Sequence, residues 1–235
     1  MEIGLPIKNG YWAPILKNDA YDSFSEIFIK EEYADFLPNI KIRKIIDIGA
    51  HYGYFSLWLQ SLNPNSEINS LMIEPSLRCH GTITGLIEYK KLKGIKLMLD
   101  GTIDNPKLGH ASFFDRPFMA SSSFKNSEEE EVRKIQIITE DDIINTMQPP
   151  YDLIKCDIEG SEWELLLHYP KVLSAARHLI LEWHSWHNGG GGKAQIEEQL
   201  SSLNFKIVKQ SNEQPAIGRN GKVGLLLAQN NNLTN

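Results

Sequence analysis

The 235 residues carry 24 Lys plus Arg against 30 Asp plus Glu, a formal charge of −6, and 41% of them are apolar. That composition fits one globular domain with its own core. No stretch approaches the roughly 18 to 20 uninterrupted apolar residues of a membrane-spanning helix, which excludes that class. An isoelectric point near 5.7 argues against a broad basic footprint for phosphate backbones, so nucleic acid is not an expected partner. The only cysteines, Cys79 and Cys156, lie 77 positions apart, too few for a disulfide framework or a Cys-rich zinc module. The first twenty residues lack the basic and continuous apolar regions of a secretory signal, so the expected location is cytoplasmic, with both thiols reduced.

Taken in chain order, Tyr21–Leu37 places Phe24, Ile27, Phe28, Tyr33 and Phe36 at spacings of one or two amphipathic helices, closed by Pro38. Residues 1–40 therefore read as a helical lead-in to a domain over 41–230. Lys44–Ile48 is a compact apolar strand interrupted by Asp47, followed by a glycine turn and the helical pattern Tyr54, Leu57, Trp58, Leu62. The order recurs: strand Ile68–Ile73, helix Leu77–Lys93, strand Ile95–Leu99. Repeated βα steps predict a mostly parallel sheet with helices on both faces.

The pattern then changes to two β-like runs, Ala111–Phe114 and Val132–Ile138, joined by a polar stretch containing Glu128–Glu131, which predicts an inserted hairpin and a solvated loop. Thr139 suits the N-cap of a short helix reaching Met147. Tyr151–Cys156 is a fourth strand, Glu162–Leu167 begins a helix, and Leu179–Trp183 is a fifth strand. After a helix over Ala194–Leu203, Phe205–Gln210 and Lys222–Gln229 suit an antiparallel pair at the sheet edge, and residues 231–235 a frayed tail.

In an open parallel sheet, ligands bind beyond the carboxyl ends of the strands. Here those ends carry Asp47, Glu74, Asp100, Asp157 with Glu159, and Glu182 with His184. Such a rim repels a pyrophosphate and favours a cationic ligand. Asp47-Ile-Gly-Ala-His-Tyr-Gly is neither a dinucleotide fingerprint nor a P-loop. Gly49 would let backbone approach a ligand, and Gly53 would permit close helix packing. Glu74, 27 residues after Asp47, has the position of an acid that accepts hydrogen bonds from a ribose diol. Glycine turn and ribose acid together point to a nucleoside-bearing ligand.

The string Asp47-Ile-Gly-Ala-His-Tyr-Gly-Tyr-Phe-Ser, then Ile73-Glu-Pro, Leu153-Ile-Lys-Cys-Asp-Ile-Glu-Gly-Ser-Glu and Leu181-Glu, resembles the FkbM-type methyltransferases, with Tyr33 in the lead-in included. The family commonly has Asn where this chain has His51. The resemblance implies S-adenosyl-L-methionine as cofactor and a Rossmann-like class I methyltransferase fold. Its seven-stranded sheet, numbered in chain order, has the order 3-2-1-4-5-7-6. It also implies O-methylation of a hydroxyl on a small molecule or carbohydrate. The implied cofactor residues are Asp47, Gly49, Ala50, His51, Gly53, Tyr54, Glu74, Pro75 and Asp157, with Asp100, Gly101 and Thr102 at the adenine edge. His184, two residues past Glu182, is the expected general base, because imidazole titrates nearest neutrality, and Glu182 or Glu159 would orient it. Asp157, Glu159, Glu182 and His184 also have ligand chemistry suited to Mg²⁺ or Mn²⁺, although no dedicated metal site is expected. Gly189–Gly192 suits a loop closing over substrate. The rival readings are a nucleotide-dependent oxidoreductase and a catalytically silent cofactor-binding relative.

Overall fold

The computed structural model describes residues 3–15, 20–88, 92–115, 132–185, 192–216 and 220–233. The chain begins with strands β1 (Ile3–Pro6) and β2 (Trp12–Ile15), followed by α1 (Ala20–Phe24), which runs on as a π-helical turn over Ser25–Ile29. Next come β3 (Lys44–Ile48), α2 (Tyr54–Leu62), β4 (Asn69–Glu74), α3 (Leu77–Glu88), β5 (Ile95–Leu99) and β6 (Gly101–Thr102). The inserted hairpin is β7 (His110–Phe114) and β8 (Val132–Ile137), after which α4 (Glu140–Thr146) leads to β9 (Tyr151–Cys156). The chain continues through α5 (Glu162–His168), α6 (Pro170–Ser174), β10 (Ala176–His184) and α7 (Lys193–Ser202). It ends in β11 (Phe205–Gln210), β12 (Gln214–Pro215) and β13 (Lys222–Asn230).

The main sheet has the order β11-β13-β10-β9-β3-β4-β5, with short β12 added beside β13. Strands β5, β4, β3, β9 and β10 are parallel, while β13 pairs antiparallel with both β10 and β11. This is the order implied by the resemblance, and the strand that opposes the others lies one place in from the edge.

Period-2 alternation sends successive strand residues into two cores. Ile46, Ile48, Leu71, Ile73, Ile154 and Leu181 pack with α4 to α7 on one face. Ile45, Met72, Leu153 and Ile180 pack with α2, α3 and the lead-in on the other. Helix α2 is buried from Tyr54 to Ser61 because the lead-in's Phe24, Ile27, Tyr33 and Phe36 cover the side that the sheet does not. Thr139 caps α4 reciprocally with Asp142, as its sequence suggests.

Three differences from the sequence reading have local causes. The lead-in opens with the hairpin β1–β2 rather than a helix, its strands paired Ile3 to Ile15 through Pro6 to Trp12. The tail is tied down through Leu233: Asn231 N–H donates to Asn204 O, and Arg177 donates to Leu233 O. The hairpin β7–β8 is joined by β6, parallel to β8, into a separate three-stranded sheet. The Glu128–Glu131 loop and Gly189–Gly191 lie outside the described residues. Among those described, no helix is long and apolar enough to cross a membrane.

Candidate active site

A cleft opens at the carboxyl ends of β3, β4 and β9, roofed by the lead-in and walled on one side by the hairpin. The free space in and before it is about 960 Å³, open solvent at its mouth included. Gly49, Ala50, His51 and Tyr52 form its floor, where Gly49 has φ 71°. A Cβ there would lie 1.8 Å from Asp157 O, so glycine is required for the turns after β3 and β9 to touch. The backbone of Gly49 lines the cleft, while the direction a Cβ would take is filled by the β9 turn. Gly53 (φ 74°) does admit close packing, against Leu86 and Met72.

Glu74 is 5% exposed and lines the cleft. One carboxylate oxygen accepts from His51 N–H at 2.7 Å and the other from Ser76 N–H at 2.7 Å. Burial pushes its pKa up to about 7, against the pull of those two donors. His51 therefore serves through its backbone, at a φ of 49° that His and Asn tolerate better than most residues. Behind Glu74, Ser76 Oγ and Leu77 N–H donate to Asp115, and Arg133 on β8 donates to Pro75 O at 3.0 Å and pairs with Asp100. These contacts fasten the hairpin to the end of β4 and bring Phe113 and Thr102 to the cleft wall.

The opposite side is a cluster of acids. Tyr33 OH donates to Glu182 at 3.1 Å and to Asp157 at 3.4 Å. Lys155, 4% exposed, sits 3.6 Å from Asp47 and 3.9 Å from Asp157 and donates to Gly49 O at 2.8 Å. Burial lowers the Lys155 pKa, but Asp157 and Asp47 outweigh it and hold the ammonium charged. Burial and repulsion from Asp157 raise Glu182 to about 8. His184 Nδ1 lies 2.9 Å from Glu162, which also accepts from Ile158 and Gly160 N–H. Burial disfavours the imidazolium, but the Glu162 carboxylate more than offsets it and raises His184 to about 10. Ligand atoms of Asp157, Glu182 and His184 lie within 4.8 Å of one another. His184 is paired with Glu162 and Asp157 with Lys155, and we assign the three no metal.

A family model described as the methyltransferase FkbM domain matches residues 47–207, more than half of the chain. The chain belongs to the FkbM methyltransferase family. A solved FkbM methyltransferase from Methylobacillus flagellatus KT is similar at 17% identity and a TM-score of 0.53, over 82% of this chain and 45% of the other. This chain thus spans less than half the length of that relative. Two further solved structures are similar with TM-scores below 0.5. M. capricolum TrmK with S-adenosyl-homocysteine has 14% identity over 87% of this chain and 68% of the other. Magnesium protoporphyrin IX methyltransferase from Synechocystis PCC 6803 has 13% identity over 89% and 81%. Comparison with curated protein sequences finds no match.

Membership of the FkbM methyltransferase family implies S-adenosylmethionine as cofactor. The cleft suits that group by its donor set. Glu74, Asp157, Glu159 and Glu26 face it with Lys155 and Arg78 as the cations, and Lys155 is committed to Asp47 and Asp157. Gly49, Ala50, His51, Glu74, Pro75, Thr102, Asp157 and Glu159 all come to the cleft. Five expected cofactor residues do not line it. Asp47 is fully buried beneath the floor, accepting from Ser56 Oγ at 2.9 Å. Gly53 and Tyr54 pack inward, the latter against Phe24 and Phe28. Asp100 turns to Arg133, and a Cβ on Gly101 would lie 2.5 Å from Ile138.

Of the expected catalytic residues, Glu182 and His184 stand behind the cleft wall, and His184 is corrected from general base to a structural cation. An imidazole already protonated at neutral pH has no lone pair for the acceptor's proton. Sequence reasoning missed Glu26, Arg78, Phe113 and Lys155 at the cleft. Lys155 had a signal, a basic residue at the inner end of the otherwise apolar run Leu153–Cys156; Arg78 and Phe113 had none, because helix and hairpin orientation are tertiary.

Proposed function

We propose that this protein transfers a methyl group to a hydroxyl of a small molecule or carbohydrate. The observation that supports it is the cleft's division into two walls: a ribose-type acid, Glu74, on the β4 side, and the carboxylates Asp157 and Glu159 on the β9 side. When bound, the cofactor supplies an electrophilic methyl group on a positively charged sulfur. Glu74 would hold the ribose, with Thr102 and Phe113 beside the base, while the backbone of Gly49 to His51 and the β9-side acids face the cationic methionine end. The chain's main contributions are then alignment and exclusion of water. Tyr33 contributes by holding Asp157 and Glu182 together at the methyl-transfer side. The overall charge of −6 and an acid-lined cleft favour a small or sugar acceptor over a nucleic acid. Two unlinked, buried thiols accord with a cytoplasmic setting.

The test is transfer of a labelled methyl group from S-adenosylmethionine to a panel of sugars, glycolipids and small alcohols, with amines and tRNA alongside. Label in an ether product supports the reading. Label only in amines or RNA, or cofactor binding without any product, would overturn it, the last in favour of a silent relative.

A further inference from the structure

One carboxylate of the cleft comes from outside the family-matched residues 47–207. Glu26 lies on the π-helical turn Ser25–Ile29 and reaches the cleft with Ser23, Ile27 and Tyr33 of the same lead-in. Its neighbours Phe24 and Ile27 are buried against α2, which fixes the turn over the floor. π-helical turns often mark functional positions, because the extra residue re-aims one side chain.

We propose that Glu26 carries the proton of the reaction: it is neutral before the donor binds, ionises against the donor's positive charge, and then takes the hydroxyl proton of the acceptor. This rests on the hydroxyl-methylation reading above. The charged groups around Glu26 are unfavourable to its anion. Burial raises its pKa to about 8, Glu32 and Asp157 add repulsion, Lys30 opposes it and Asp22 adds a little more. A ligand of net charge +1 reverses that balance, whereas the demethylated product, of net charge zero, does not. Several other acids have partners, Asp157 among them with Lys155 and Tyr33. Glu74 holds two backbone N–H groups, Glu182 accepts from Tyr33 behind the wall, and Glu162 is paired with His184.

The step balances. The acceptor oxygen bonds to the methyl carbon, the carbon–sulfur bond leaves its electron pair on sulfur, and the hydroxyl proton passes to a Glu26 oxygen. The sulfonium–carboxylate pair becomes a neutral sulfide and a neutral acid, so no net charge is created in the cleft.

The experiment is calorimetric titration with S-adenosylmethionine and with S-adenosylhomocysteine at pH 7, each in two buffers of different ionisation enthalpy. We expect about one proton released per donor bound and clearly fewer for the product. In Glu26→Gln the release on donor binding should fall by most of a proton, with product affinity kept within about threefold. Should that variant fail to fold, difference infrared spectra of the wild type should show a protonated carboxyl band lost on donor binding. Donor binding without proton release, or release undiminished in Glu26→Gln, overturns the proposal. With whichever hydroxyl accepts label, Glu26→Gln should slow the first turnover about 10² to 10⁴-fold, and an unchanged rate also overturns it. Proton release with label appearing only in amines or RNA would instead overturn the hydroxyl reading and leave Glu26 as the group answering the donor's charge.

Discussion

At the scale of single residues, Glu74 has two duties, since the same carboxylate that would meet a ribose also holds His51 and Ser76 backbone N–H groups at 2.7 Å. In Glu74→Gln one of those oxygens becomes an NH₂ facing an N–H donor. Cofactor binding, measured by titration calorimetry, should weaken by about 1.5 to 3 kcal/mol, the range for hydrogen bonds to a charged group. His184 and Glu162 make a second residue-scale prediction through pH. The folded pKa of His184 is raised from 6.5 to about 10, so its stabilisation is complete below about pH 6.5 and lost as pH rises toward 10. Glu162 is lowered, its own burial outweighed by His184, so its contribution is present above about pH 4.5 and lost on acidification below its folded value. The raised carboxyls Glu74, at about 7, and Glu182, at about 8, favour the folded state at low pH and lose that contribution as pH passes those values. The urea midpoint should therefore be higher at pH 6 than at pH 9.5. In His184→Gln the part of that fall between pH 8 and 10 should disappear, and a fall of unchanged shape would contradict the assignment.

At the scale of elements, the site depends on how closely the turns after β3 and β9 approach each other. Gly49 N–H and Ala50 N–H both donate to Ile73 O, which ties the first turn to β4, while Lys155 ties it to β9 through Gly49 O. Gly49→Ala places a Cβ in the left-handed region and 1.8 Å from Asp157 O, so the turns must separate. We expect a loss of about 1 to 3 kcal/mol in unfolding free energy, the scale of a strained backbone position, and weaker product binding in the same variant. Intact binding with reduced stability alone would show that the turn holds the fold and not the cofactor. The lead-in acts at this scale too. Its sequence shows a helical apolar spacing, and Ala20–Ile29 is helical. What that spacing leaves open is the surface it meets, which is the outer side of α2, and hence that Glu26 and Tyr33 arrive at the cleft.

At the scale of the molecule, a charge of −6 and a cleft walled by carboxylates predict no retention of RNA at physiological salt, because binding would bring like charges together without counterion release. A filter-binding assay with tRNA at 50 and 150 mM salt should show no measurable complex at either. The βα alternation and the glycine turn were legible in the chain, since period-2 apolar runs alternating with 3.6-period helices define βα units that close in one hand, whereas the strand order came from the resemblance to the family. Glu74 was legible for the same reason, being fixed by its place at a strand end. His184 was not. Its position after Glu182 suggested a base, but whether an imidazole is a base or a cation depends on the group at its other nitrogen. That group, Glu162, comes from a helix 22 residues earlier. Asp47 and Asp100 read alike as acids at strand ends, yet one is sealed under α2 and the other paired to a hairpin arginine. Sequence by itself determined the βα architecture and the carboxylate-rich rim, because both follow from local periodicity and strand-end position. Only the tertiary structure decided which of those acids meet the ligand and which are neutralised, because burial and charge pairing are set by residues distant in the chain.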